Sequence, residues 1–152
     1  MCEILFRGKR IDNDKWVEGY YVYLYDTKGH KTHRIYTGYA ETDCGDYYPE
    51  WFEVDPETVG RYTDLTDKNG KRIFEGDILH VVSSEYEYDF NTSVGAKGRY
   101  TSGFYVDGAF GDGDFNEIGF AFDYWEEEEA EVEVIGNIHD NPELLEVDNA
   151  ER

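Results

Sequence analysis

The chain has 152 residues, with 35 Asp and Glu against 14 Lys and Arg and a formal net charge of −21. Such a surface repels phosphate backbones and anionic headgroups, which disfavours direct nucleic-acid binding and attachment to acidic membranes. No apolar stretch approaches the roughly 20 residues of a membrane span, and the opening "MCEILFRGKRIDNDKW" lacks the apolar run of a signal peptide, so a cytoplasmic location is expected.

Aromatic residues make up 17% of the chain, with 14 Tyr, 9 Phe and 3 Trp, so much of any core must be aromatic. Tyrosine hydroxyls need water or a partner, which favours half-buried sheet faces. Two cysteines, Cys2 and Cys44, form no disulfide framework and are expected to stay thiols. The charge is uneven: residues 1–72 carry −3 and residues 73–152 carry −18. The acidic part offers a basic protein partner a surface, or simply keeps an aromatic-rich fold in solution.

In chain order, "EILFRGKRI" and "KWVEGYYVYLY" read as strands joined by "DNDK". The second is apolar on both faces, the pattern of a central strand. "DTKG" at 26–29 is a turn, "RIYTGYAE" a strand, and "TDCGDYYPE" an irregular loop. "WFEV" is a further strand that Pro56 ends or places at an edge. "SEYEYDF" alternates Tyr86, Tyr88 and Phe90 with Glu85, Glu87 and Asp89, as a half-buried antiparallel strand does. "NTSVGAKG" reads as a loop, and residues 99–125 as two or three short strands broken at Asp107-Gly108, a hairpin signal, and at Gly111 and Gly113. "AEVEVIGNI" sets Val132 and Val134 against Glu131 and Glu133, and "NPELLEV" can hold one helical turn capped by Asn141 with Pro142 at its first position. The expected fold is mostly β, with antiparallel strands in barrel-like subdomains and at most short helical turns. The chain reads as a single unit over 1–152, divisible into an N-terminal β part, 1–62, and an acidic β part, 63–152.

The stretch "TDLTDKNGKRIFEGDIL", residues 63–79, compresses two turns and two strands. A two-residue turn at Asn69-Gly70 would oppose Lys68 to Lys71, whereas a three-residue loop with Gly70 left-handed opposes Asp67 to Lys71 and Leu65 to Ile73. Opposite charges across a ladder attract and like charges repel, by roughly 0.2–1 kcal/mol, so the three-residue loop is favoured. Gly76 marks a bend between Glu75 and Asp77, carboxylates better suited to a turn's own backbone than to acid–base work.

Other candidate chemistry is weak. Asp112, Asp114, Asn116 and Asp123 fall at four positions of a calcium-loop template, but Glu117 stands where the template needs Gly. His30, His33, His80, His139 and the two cysteines lack zinc-site spacing. The run Glu126–Glu129 reads as a solvated loop. No nucleophile elbow or phosphate loop is present, so neither catalysis nor a cofactor is expected.

The segment "VDPETVGRYTDLTDKNGKRIFEGDIL", with "LFRGKRIDNDKWVEGYY" before it and "VIGNIHDNPELLE" after it, resembles the signature of the YopX family, proteins encoded by bacteriophages and prophages. The resemblance spans nearly the whole chain. It marks Asp67, Asn69, Gly70, Phe74, Glu75, Gly76, Asp77, Gly136, Asn137 and Pro142 as structural signature positions, and transfers no catalytic residue. It implies a strand-rich fold with barrel-like parts, self-association and a bacterial host cell. The expected role is therefore a non-enzymatic accessory protein acting by protein–protein interaction as a homo-oligomer. An acidic nucleic-acid mimic that occupies a basic host DNA-binding or defence protein is the alternative, and a small carbohydrate-binding or hydrolytic domain a third reading.

Overall fold

The computed structural model describes residues 4–96, 103–107 and 117–145. The described residues form, besides a helical turn at 143–145, the elements β1 (Phe6–Arg10), β2 (Trp16–Tyr25), β3 (Lys31–Glu41), β4 (Tyr47–Thr66), β5 (Arg72–Phe74), β6 (Asp77–Ser83), β7 (Tyr88–Gly95), β8 (Tyr105–Val106), α1 (Ile118–Glu127) and β9 (Glu131–Asn137). The chain is mostly β and antiparallel, as the alternating patterns indicate, and it divides into two compact units, Met1–Tyr62 and Thr63–Arg152. No helix among the described residues is long and apolar enough to cross a membrane.

In the first unit β1 pairs with β2, β2 with β3, β3 with β4, and β4 back with β1, so four strands close into a ring. Closure removes the open edges that a flat sheet would expose. Ile35, Val54 and Tyr62 are its buried apolar residues. Arg10 lies over the Phe52 ring at 4.0 Å and forks onto Asp12 through two hydrogen bonds of 2.8 and 2.6 Å. That guanidinium holds the Asp12 carboxyl below the usual range.

Pro56 does not end a strand. β4 runs through it, because the β1–β4 register slips between Arg7↔Gly60 and Lys9↔Asp55 and leaves residues 56–59 out of the ladder. A missing N–H costs nothing there. Thr58 fills the gap, its Oγ accepting from Lys9 N (2.9 Å) and donating to Asp55 O (2.6 Å). The expected loop at 42–50 is shorter: only 42–46 turn, and Tyr47 onward already belongs to β4.

In the second unit the sheet order is β8-β7-β6-β9. Its core gathers Ile73, Leu79, Val81, Val94, Val106, Val132 and Val134 with Ile118, Ala121 and Trp125 of α1. Residues 118–127 are a helix and not a strand. Ile118, Ala121, Phe122 and Trp125 recur at i, i+3, i+4 and i+7, one helical face, and the Glu117 carboxylate caps the end by accepting from Gly119 N (3.0 Å) and Phe120 N (2.8 Å). The run from Glu126 is accordingly the last turn and cap of α1, not a free loop.

"SEYEYDF" is not one strand either. Residues 84–87 turn between β6 and β7, with Glu87 at φ 55°, and Ser83 opposes Tyr88 across the hairpin. The Ser83 hydroxyl accepts from Tyr86 N (3.3 Å) and donates to Glu128 O (3.0 Å), which fixes the reversal early. β7 then continues through the expected loop as far as Gly95. The Asp107-Gly108 hairpin signal ends in a turn at Asp107; Gly108 and the residues to Asn116 lie outside the described segments.

Candidate functional site

The three-residue loop at 68–70 forms as expected: Asp67 N donates to Lys71 O (2.8 Å), Gly70 N to Asp67 O (3.0 Å), and Gly70 sits at φ 79°. What holds it is the Asp67 carboxylate, which is buried and accepts three backbone N–H groups. Oδ1 takes Asn69 N and Lys71 N, both at 2.9 Å, and Oδ2 takes Val134 N of β9 at 3.0 Å. Burial raises the carboxyl pKa and the three N–H bonds lower it by more, so it stays below its ordinary value.

The remaining signature positions are also architectural. Asp77 is buried and accepts from Phe74 N at 2.7 Å, closing the turn over Glu75 and Gly76. Gly76, at φ 91°, gives its N–H to Val94 O (2.8 Å) and takes Ile138 N (2.8 Å), so it ties β7 to the chain after β9. Asp77 pairs with Asn137, whose Oδ1 accepts from His139 N (3.0 Å) and Asp140 N (2.9 Å). A side chain at Gly136 would strike Asn141 Oδ1 at 2.5 Å. The helical turn at 143–145 follows Pro142, with Leu145 N donating to Pro142 O (3.2 Å). The two distant signature segments thus meet to close one corner of the second unit.

No group of three His, Cys, Asp or Glu side chains among the described residues has metal-binding geometry. Asp112, Asp114 and Asn116 lie outside the described residues, and Asp123 sits on α1. His30 and Cys44 stand in the turns at opposite ends of β3, and Cys2 lies outside the described residues. His80 is held on β6, Nδ1 2.8 Å from Asn91 Oδ1 and Nε2 3.3 Å from Asp89.

Tyr88 donates to Glu128 Oε2 at 2.7 Å. Burial first, then this bond, push the Tyr88 phenol above its ordinary value; Tyr124 is raised chiefly by its own hydrogen bond to Glu128. A raised phenol contributes stability below its unfolded value, about 10, that is lost as pH climbs through the folded one. Glu128→Gln is expected to bring both phenols down, Tyr124 closer to its ordinary value because burial holds it less. An ultraviolet absorbance titration checks this; an unchanged phenolate curve refutes it.

The largest unexplained feature is in the first unit. β2 is central in sheet order, as expected, but its second half is not buried: Tyr20, Val22, Tyr23, Leu24 and Tyr25 are exposed. With Lys31–Tyr36 of β3 they form a first arm closed by the turn at 26–30. Gly38–Glu41 pair with Tyr47–Glu50 as a second arm, where Tyr39 (75% exposed), Tyr47 (70%) and Tyr48 lie open, with Trp51 at its root. Strand alternation sends these side chains to both faces of each arm. Cations brace the rings, with Lys31 Nζ 4.0 Å from the Tyr23 centroid and the Arg34 guanidinium 3.7 Å from that of Trp51. The Tyr21 hydroxyl, raised above its ordinary value by burial and then by Tyr23, is hydrogen-bonded to the His33 ring. Sequence reasoning makes β2 a buried central strand and leaves Tyr47 and Tyr48 in a loop; the exposure of the β2 aromatics follows from how far β2 and β3 outrun β1.

A solved structure described as protein EF1440 from Enterococcus faecalis is similar to this chain with a TM-score of 0.53 and 25% identity, covering 95% of this chain and 99% of that one. No curated protein matches it. The family described as "YopX protein" matches residues 5–146. That match takes in the closed ring, both arms and the Asp67, Gly76 and Asn137 corner, and the chain belongs to the YopX family.

Proposed function

We propose that the protein acts by protein–protein interaction, first with its own copies, and without a catalytic step of its own. The observation that supports this is the pair of arms. A two-stranded hairpin is marginal in water by itself, yet these two carry nine exposed large apolar or aromatic side chains, from Tyr20 to Trp51. Exposed apolar surface of this kind marks an interaction site. Summed over both arms, the exposed area of these side chains is comparable to the roughly 800 Å² that one partner gives to a standard interface. Tyr and Trp are also the residues that such interfaces favour. The family resemblance suggests a phage or prophage setting, and the acidic charge leaves room for a basic host protein as a further partner.

The nucleic-acid mimic has less behind it. Glu85 and Glu87 stand in a turn and not along a strand, and Glu131 and Glu133 lie 3.3 and 3.8 Å from Lys68 Nζ, which breaks the acidic stripe. Size-exclusion chromatography with light scattering is expected to give a multiple of the chain mass at micromolar concentration. A monomer there would overturn the reading.

A further inference from the structure

We propose that the occupant of each arm is the opposite arm of a second copy, the first arm of one chain packing against the second arm of another. This rests on the self-association reading above and assigns its surface. The two arms are alike in their aromatic content and opposite in charge. The first carries Lys28, Lys31 and Arg34 against Asp26 alone; the second carries Glu41, Asp43, Asp46 and Glu50 and no Lys or Arg. The bases of the first arm are not consumed locally. Lys31 and Arg34 lie over aromatic rings, and Asp26 spends its Oδ1 on the backbone N–H groups of Lys28 and His30, both at 2.8 Å.

The tips of the two arms of one copy do not meet. They extend from opposite ends of β3, an 11-residue strand that at about 3.3 Å per residue spans on the order of 30 Å, beyond the roughly 8–10 Å over which salt leaves exposed charges in contact. Two first arms brought together would set base against base, and two second arms acid against acid. Only the mixed pairing buries the aromatics of both arms while joining unlike charges. Such pairing suppresses the like-with-like alternatives more than it adds affinity.

The test is a charge swap followed by light scattering, in a thiol reductant so that Cys44 forms no cross-link. Lys28→Glu with Lys31→Glu makes both arms acidic, and Glu41→Lys with Asp43→Lys and Asp46→Lys makes the second arm basic as well as the first. These positions are exposed, and far-ultraviolet circular dichroism verifies that each variant keeps its strands. Each variant alone is expected to dissociate at least tenfold more readily than the wild type. An equimolar mixture of the two is expected to associate again, since each mutated arm then meets an unlike one, and the fivefold variant, its arm charges exchanged, to associate by itself. Wild-type oligomers that both variants retain, or variants that dissociate and stay apart when mixed, overturn arm pairing and leave self-association standing. A monomeric wild type overturns both.

Discussion

Asp67→Ala is expected to destabilise the second unit by about 3–5 kcal/mol, the loss of charge-assisted hydrogen bonds worth roughly 1.5–3 kcal/mol each, partly offset by relief of a buried carboxylate. The carboxylate accepts Asn69 N, Lys71 N and Val134 N at once. After truncation the two N–H groups of the exposed loop reach water, but the one bonded across to β9 is left inside. Asp67→Asn separates these parts. An amide keeps one oxygen, so it serves the loop or β9 and turns a donor toward the other, for a loss of about half as much. Chemical denaturation of the two variants measures both, and equal losses would show that the link to β9 contributes nothing.

The same group gives a pH signature. Its folded pKa lies below the ordinary 3.8, so its contribution is complete above that value and disappears as pH falls through the folded pKa. Wild-type stability should therefore fall more steeply below pH 3.8 than that of Asp67→Asn, in which position 67 no longer titrates. Parallel curves would refute the assignment.

The Asp67 loop also shows how far sequence reasoning reaches. The register of Asp67 against Lys71 is legible from like and unlike charges, but the stronger cause is a carboxylate that also serves β9, 67 residues away, and no local pattern contains that partner. The antiparallel, mostly β architecture is legible because side-chain alternation is local. Ring closure is not, because it depends on β1 meeting β4 some fifty residues on. α1 was legible in principle: Ile118, Ala121, Phe122 and Trp125 hold a helical face, obscured by the glycines and aromatics around them. "SEYEYDF" misleads for the converse reason, since its alternation is genuine but the Ser83 hydroxyl and a left-handed Glu87 turn the chain inside it. Asn69, Gly70, Glu75 and Gly76 were legible as turn residues, and they stand in turns. The arms were not, since Tyr21 and Tyr23 belong to the same strand face, and what separates them is the Phe6 ring of β1, 5.8 Å from that of Tyr21.

Gly19→Ala is expected to cost about 3 kcal/mol, the upper end of ordinary overpacking, and to loosen the ring where the first arm leaves it. Gly19 is not a glycine for the sake of its backbone angles. A Cβ there would lie 2.1 Å from the Tyr36 carbonyl oxygen and 3.0 Å from Ile35 Cγ2. The carbonyl cannot retreat cheaply, because Tyr20↔Tyr36 and Tyr21↔Ile35 fix β2 on β3, while Phe6↔Gly19 fixes β2 on β1 from the other side. Relief must come from one of these two pairings, and losing either opens the ring beside Ile35, its most buried side chain. Hydrogen exchange separates this from a general loss of stability: protection should fall first at residues 19–21 and 35–36, whereas Glu18→Ala, one residue away and exposed, should leave it unchanged. If Gly19→Ala exchanged like the wild type at those amides, the close approach of β2 and β3 would not be what requires glycine. Because the first arm is the continuation of these two strands, the same substitution is expected to weaken self-association without altering any residue of the arms.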